Sequence, residues 1–166
     1  MPAPAFAAYA AALDYPVGGA PAGPVAASPV VRDLVAQYAA AAAELTPGRL
    51  EEVYAQTFDL QPECTLNLSH HLFSDDEWKR SAMLIELKSL FQRHGMDTAG
   101  ELPDHLCWLL RLMAAAPPDD SELREVRTRL MLPALRQLQE RVRELRNPYP
   151  PLLQALFLEL SSEAAA

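Results

Sequence analysis

The chain has 166 residues, half of them hydrophobic, only two cysteines, and a formal net charge of −8 with a pI near 4.9. That length and apolar content fit one domain with a substantial core and exclude a disordered chain beyond its ends. The acidic balance argues against nucleic acid as the main partner, because phosphate binding needs a basic face, and favours a cationic ligand such as an arginine-bearing peptide.

Helix-period patterns recur from end to end and no strand-like alternation persists, so the expected fold is an all-α bundle of about seven or eight helices forming one domain over residues 1–166. Phe6 to Tyr15 reads as a first helix stopped by Pro16 and the Gly18-Gly19 pair. A flexible Pro/Gly/Ala linker is expected over 16–29, followed by a second helix from Val30 to Leu45. Thr46-Pro47 is a helix start, a hydroxyl N-cap followed by proline at the first helical position, and that helix should run to about Thr57. Pro62 opens an expected fourth helix ending near Phe73.

Ser74 or Asp75 caps a fifth, with Met83, Leu87, Leu90 and Phe91 on one stripe and a stop at Gly95. Pro103 is expected to open a sixth, with Leu102, Leu106, Leu109, Leu110 and Met113 along one side; Pro117-Pro118 ends it. A long helical stretch then reaches Arg146, with Pro133 inside it predicted to kink or break it. Tyr149 to Leu160 is the last apolar helix, and 161–166 a tail. No segment supplies the ~20 apolar residues of a membrane span, and Met1 to Leu13 lacks the basic start of a secretory signal. With Cys64 and Cys107 far apart in apolar stretches, a reducing, cytoplasmic setting is the simplest reading.

The sequence offers no Gly-rich phosphate loop, no G-x-S-x-G, no H-E-x-x-H and no C-x-x-C, so neither catalysis nor a cofactor is expected. Cys64 with His70 and His71 matches no zinc spacing, and an isolated helical cysteine is usually a small buried hydrophobe. Asp75-Asp76-Glu77 reads as helix-start charge. The arginines from Arg124 to Arg146 interleave with glutamates in i,i+4 pairs such as Glu125–Arg129 and Arg136–Glu140, a solvated face and not a nucleic-acid patch.

One stretch is far more specific: Glu101-Leu102-Pro103-Asp104-His105-Leu106. It resembles the E-L-P-D-H-L motif of the nitrate reductase assembly chaperones of NarJ type, relatives of TorD and DmsD. Leu13-Asp14-Tyr15-Pro16 is similar to the family's L-x-Y-P, and Tyr54 to Asp59 to its Y-x-x-x-F-D. His94-Gly95 and Asn147-Pro148-Tyr149 with Leu152-Leu153 follow in the family's order. Cys107 stands where a proline usually continues the motif, and Arg111 where a glutamate is common, departures that bear on which client is bound.

The resemblance implies a chaperone that binds the apo catalytic subunit of a molybdenum enzyme of the dimethyl sulfoxide reductase superfamily. It implies contact with the client's N-terminal segment, often a twin-arginine signal peptide, before molybdenum cofactor insertion and export or membrane docking. Such a receptor wants an apolar groove rimmed by carboxylates. Glu101, Asp104 and Asp59 are the expected rim; Tyr54, Phe58, Leu102 and Leu106 the expected floor; Pro103 and His105 complete the motif. The competing expectations are that Asp104 and His105 merely cap the sixth helix, and that Tyr54 and Phe58 are core. A monomer is expected; the resemblance, with the flexible stretch from Gly18 to Pro29, gives a domain-swapped dimer as the alternative. A permanent scaffold subunit of a redox complex and a nucleotide- or cofactor-binding accessory protein are the alternative functions.

Overall fold

The structure, a computed structural model, describes residues 3–26 and 28–164. Its helices are α1 (Ala3–Ala12), α2 (Pro29–Ala43), α3 (Pro47–Tyr54), α4 (Ser69–Phe73), α5 (Glu77–Arg93), α6 (Leu106–Ala115), α7 (Ser121–Val126), α8 (Leu132–Val142) and α9 (Tyr149–Ala164). Because a π turn over Arg127–Met131 joins α7 to α8, residues 121–142 form one continuous helical stretch. Among the described residues there is no β-strand, and no helix is long and apolar enough to cross a membrane.

The termini follow from local chemistry. Thr46 caps α3 by accepting from Arg49 N at 3.3 Å, and Asp120 caps α7 by accepting from Leu123 N at 3.0 Å. Asp76, not Ser74 or Asp75, caps α5, accepting from Lys79 N at 3.0 Å. At the other end Gly95 adopts φ +66°, which lets Gly95 N reach Gln92 O and Met96 N reach Phe91 O, satisfying carbonyls that α5 would otherwise leave open. Pro133 has no N–H to give the carbonyl one turn back, and the ladder shifts ahead of it: Leu132 N bonds Arg127 O, five residues away. The expected kink is thus a π turn.

One contiguous core joins the helices. Phe6, Tyr9, Ala10 and Leu13 of α1 and its C-terminal end seat on α6, which buries Leu106, Leu109, Leu110 and Leu112. Val31, Leu34, Tyr38 and Ala42 of α2 meet α9, where Leu152, Leu153, Leu156 and Leu160 are buried, and α8 packs on the same helix through Leu135 and Leu138. Each buried leucine contributes roughly 1.5–3 kcal/mol over an exposed one.

Two segments differ from the sequence expectation. The expected fourth helix from Pro62 is only a 3-10 turn, Pro62–Cys64, followed by extended backbone and the short α4. The sixth helix begins at Leu106, not Pro103. Both differences have one cause: Leu106 N donates to Leu66 O at 2.9 Å and Leu68 N to Asp104 O at 3.1 Å, so the two stretches pair with each other around an antiparallel bridge at Asn67 and His105. Backbone groups used across the chain are not available for helix. In the linker expected over 16–29, residues 16–26 and Ser28 are non-helical, and at Gly23 the chain lies close on α2: a Cβ there would come within 2.8 Å of Val35. The tail expected over 161–166 continues α9 to Ala164, and residues 165 and 166 lie outside the described residues.

Candidate functional site

A cleft beside the E-L-P-D-H-L stretch forms where α1 ends, α3 ends and the two paired segments meet. A π turn over Ala55–Asp59, closed by Leu60 N on Ala55 O at 2.9 Å, turns Thr57 and Phe58 inward and leaves Asp59 exposed. Asn147 braces that turn, donating from Nδ2 to Thr57 Oγ1 at 3.0 Å while its Oδ1 accepts from Tyr149 N at 3.0 Å. The cavity holds about 250 Å³ and is lined by Asp14, Tyr15, Tyr54, Phe58, Asp59, Thr65, Leu66, Asn67, Glu101 and His105.

Its wall is aromatic and ordered. Tyr54 stands edge-on to Tyr15 at 5.5 Å, to Phe58 at 5.1 Å and to Tyr149 at 5.6 Å between ring centroids. The Tyr54 hydroxyl donates to Leu13 O at 3.0 Å, and the Tyr15 hydroxyl to Glu51 Oε2 at 3.3 Å. These bonds fix the rings where α1 gives way to the following loop.

The electrostatics are acidic. Asp14, Asp59 and Glu101 are the cavity's carboxylates. Arg111 pairs with Asp14 and lies over the Trp108 ring at 4.6 Å. Burial lifts the Asp59 carboxyl above its ordinary value, with His105 opposing and Glu101 adding to the rise. Burial likewise holds the His105 imidazole below its ordinary value. His105 Nδ1 accepts from Cys107 N at 3.3 Å, so His105 caps α6 with its ring beside the cavity.

Of the residues expected to form a client site, Tyr54, Phe58, Asp59, Glu101 and His105 line this one cavity. Asp104 does not stand on the rim: it is 0 % exposed, and its Oδ2 accepts from Ser69 N at 3.0 Å and Ser69 Oγ at 2.5 Å. Leu106 is fully buried, its N–H bonded to Leu66 O, and it does not line the cavity. Leu102 and Pro103 line a separate groove against α5, which shares Glu101 with the first cavity. Asp14, Tyr15 and Asn67 were missed as lining residues; the Asp14-Tyr15 pair was visible inside the L-x-Y-P stretch, but helical spacing gave no reason to place it opposite Glu101.

Cys64, His70 and His71 do not assemble as ligands. His71 Nε2 is 2.7 Å from Thr65 O, and Arg141 Nη1 is 3.2 Å from its Nδ1. Among the described residues, His94, Asp120 and Glu122 form the group able to share an ion, with ligand atoms within 4.8 Å of one another. Asp120 already caps α7 and Glu122 already accepts from Arg93 Nη2 at 2.5 Å, so both carboxylates are committed. Cys64 and Cys107 are buried free thiols, that of Cys107 pushed up to about 12 by burial.

Fold and cleft together define an all-α protein whose motif-bearing loop edges an acidic, aromatic-walled cavity. The chain belongs to the nitrate reductase delta subunit family, which matches residues 26–154. That family, of NarJ/TorD type, is one of molybdoenzyme assembly chaperones. None of the curated proteins compared with the chain matches it.

Proposed function

We propose that the protein is a non-catalytic cytoplasmic chaperone that binds the N-terminal segment of the catalytic subunit of a molybdenum enzyme of the dimethyl sulfoxide reductase superfamily. In this reading it acts as a monomer, holds the apo-subunit ready for molybdenum cofactor insertion, and leaves before export or membrane docking. The observation that carries the reading is the convergence of Asp14, Asp59 and Glu101 on a cavity walled by Tyr15, Tyr54 and Phe58.

An arginine of the client supplies what this cavity lacks. Its guanidinium donates to the Asp59 and Glu101 carboxylates, charge-assisted bonds about twice as strong as neutral ones. Its planar head rests against the aromatic wall, where a cation gains about 0.5–2 kcal/mol. Asp14, already paired with Arg111, adds field more than contact.

The test is calorimetric titration of the intact protein with peptides covering the N-terminal segments of the source organism's molybdenum-enzyme catalytic subunits. One peptide is expected to bind, with affinity that falls on adding salt and on Asp59→Asn with Glu101→Gln. No binding by any peptide to the folded protein would refute the reading. Stoichiometric retention in the mature holoenzyme would show a permanent subunit instead.

A further inference from the structure

Asp59 reaches the cavity through a break in helical register. Tyr54 ends α3, and the turn over Ala55–Asp59 closes on a bond from Leu60 N to Ala55 O, five residues back. Four-residue bonds there would turn the residues that follow by about 100°, one residue's share of an α-helical turn, and would carry Asp59 off the cavity. Thr57 holds the wider register. Its side chain is buried, its hydroxyl donates to Val53 O at 2.7 Å, and its oxygen accepts from Asn147 Nδ2 at 3.0 Å. The other end of that amide accepts from Tyr149 N at 3.0 Å. Tyr149 in turn stands edge-on to Phe58 at 5.0 Å and to Tyr54 at 5.6 Å between ring centroids. One side chain just ahead of α9 thus grips both the π turn and the aromatic wall.

We infer that Asn147 is a positioning residue for the cavity: through Thr57 it fixes the register of the π turn, and with it the place of the Asp59 carboxylate. The inference rests on the reading of the cavity as a site for a cationic group. It goes beyond that reading by tying the affinity to a residue that does not itself line the cavity. The bonding at 147 calls for an amide. The Thr57 hydroxyl hydrogen is spent on Val53 O, so toward Asn147 its oxygen only accepts and a donor must face it. The Tyr149 N–H needs an acceptor. An amide offers both, whereas a carboxylate offers only the second. The register also has a signature of its own. Burial lifts the Asp59 carboxyl above its ordinary value, and a carboxyl turned out to solvent would titrate nearer to that value.

The experiment uses the intact protein and N-acetylarginine amide, a probe that carries the guanidinium without the rest of a client, with binding read by chemical-shift titration. Thr57→Val removes the hydroxyl at nearly constant shape, and Thr57→Ser keeps it. Asn147→Asp keeps the acceptor for Tyr149 N and loses the donor to Thr57. Asn147 is only partly buried, so this variant carries the test if Thr57→Val does not fold. Thr57→Val and Asn147→Asp should each weaken the probe about tenfold, the loss of one charge-assisted contact, while Thr57→Ser stays within about twofold. The negative charge added by Asn147→Asp would by itself strengthen cation binding, so a weakening there reads position and not charge. On an Asp59→Asn background neither substitution should cost anything further. The Asp59 carboxyl, followed by NMR, should titrate nearer its ordinary value in Thr57→Val and stay raised in Thr57→Ser. Equal losses with and without the Asp59 carboxylate would show a general structural role and overturn the inference. Wild-type binding and titration in both Thr57→Val and Asn147→Asp would overturn it too. If the wild type does not bind the probe while the Asp59 titration moves as expected, the cation-site reading fails and the positioning of Asp59 stands.

Discussion

Asp104 and Ser69 are 35 residues apart in sequence, yet one carboxylate oxygen of the aspartate takes both the backbone N–H and the hydroxyl of the serine. Arg80 Nε then donates to Ser69 Oγ at 3.2 Å, so α5 joins the same chain of bonds. Through these contacts the motif aspartate staples its loop to α4. Glu101, three residues earlier, is held separately by Thr98, whose O accepts from Glu101 N at 3.0 Å and whose Oγ1 donates to Glu101 O at 2.6 Å.

Removing the staple should therefore appear as lost stability before lost binding. Asp104→Ala leaves two buried donors of Ser69 without their charged acceptor, and about 3 kcal/mol of unfolding free energy should go with it. Urea unfolding measures that loss. Peptide affinity of the fraction that folds should change by no more than about threefold, because Asp104 does not line the cavity. Unchanged stability with collapsed affinity would put Asp104 in the binding surface.

The cavity's own titration sets a pH profile. Asp59 lies above its ordinary value and His105 below its ordinary 6.5. Acid neutralises the first and charges the second, and both changes disfavour a cationic ligand. Arginine-peptide affinity should rise as pH climbs through the acidic range and level off above about 6.5, where His105 is neutral. Asp59→Asn should flatten the carboxylate part of the rise. Calorimetry between pH 4.5 and 8 would read this. The stability effects have opposite signs: the raised Asp59 value costs stability as pH rises through it, and the lowered His105 value costs stability as pH falls below 6.5.

His71 offers a cleaner case, away from the ligand. Burial holds it below its ordinary 6.5, with Arg141 and His70 adding to the fall and the bond to Thr65 O opposing it. The neutral ring donates from Nε2 to Thr65 O and accepts at Nδ1 from Arg141, which also donates to Glu63 O at 2.7 Å. A proton on Nδ1 would remove that acceptor and face the guanidinium. The native state thus binds this proton less readily than the unfolded chain, and stability should fall as pH drops from 6.5. His71→Gln should lower stability at pH 7 by about 1–2 kcal/mol and remove part of the acid slope.

Much of this was legible in one sequence, for identifiable reasons. Thr46-Pro47, Gly95 and Pro133 act through their own backbone geometry, so their effects on α3, α5 and the 121–142 stretch follow locally. Of the residues singled out in and around the E-L-P-D-H-L stretch, Glu101, His105, Tyr54, Phe58 and Asp59 meet at one cavity. What helical spacing does not encode is the pairing of residues 66–68 with 104–106, which turned the expected start of the sixth helix into a loop and drew Asp104 inside.

Arg111 pairs with Asp14 and stacks on Trp108, tying the end of α1 to α6 at the cavity's edge. The pair is partly exposed, so its ionic part contributes only about 0.2–1 kcal/mol, and the stacking a similar amount. Arg111→Ala should cost about 1 kcal/mol of stability while freeing Asp14 to face the cavity as a third unpaired carboxylate. Arginine-peptide affinity should then rise about two- to fivefold at low salt and return to the wild-type value at high salt. Arg111→Glu should bring two carboxylates together, destabilise α1 against α6, and lose more stability than the alanine variant. If Arg111→Ala weakens binding with stability intact, the arginine contacts the client directly, and the acidic cavity is not the principal anchor for its cation.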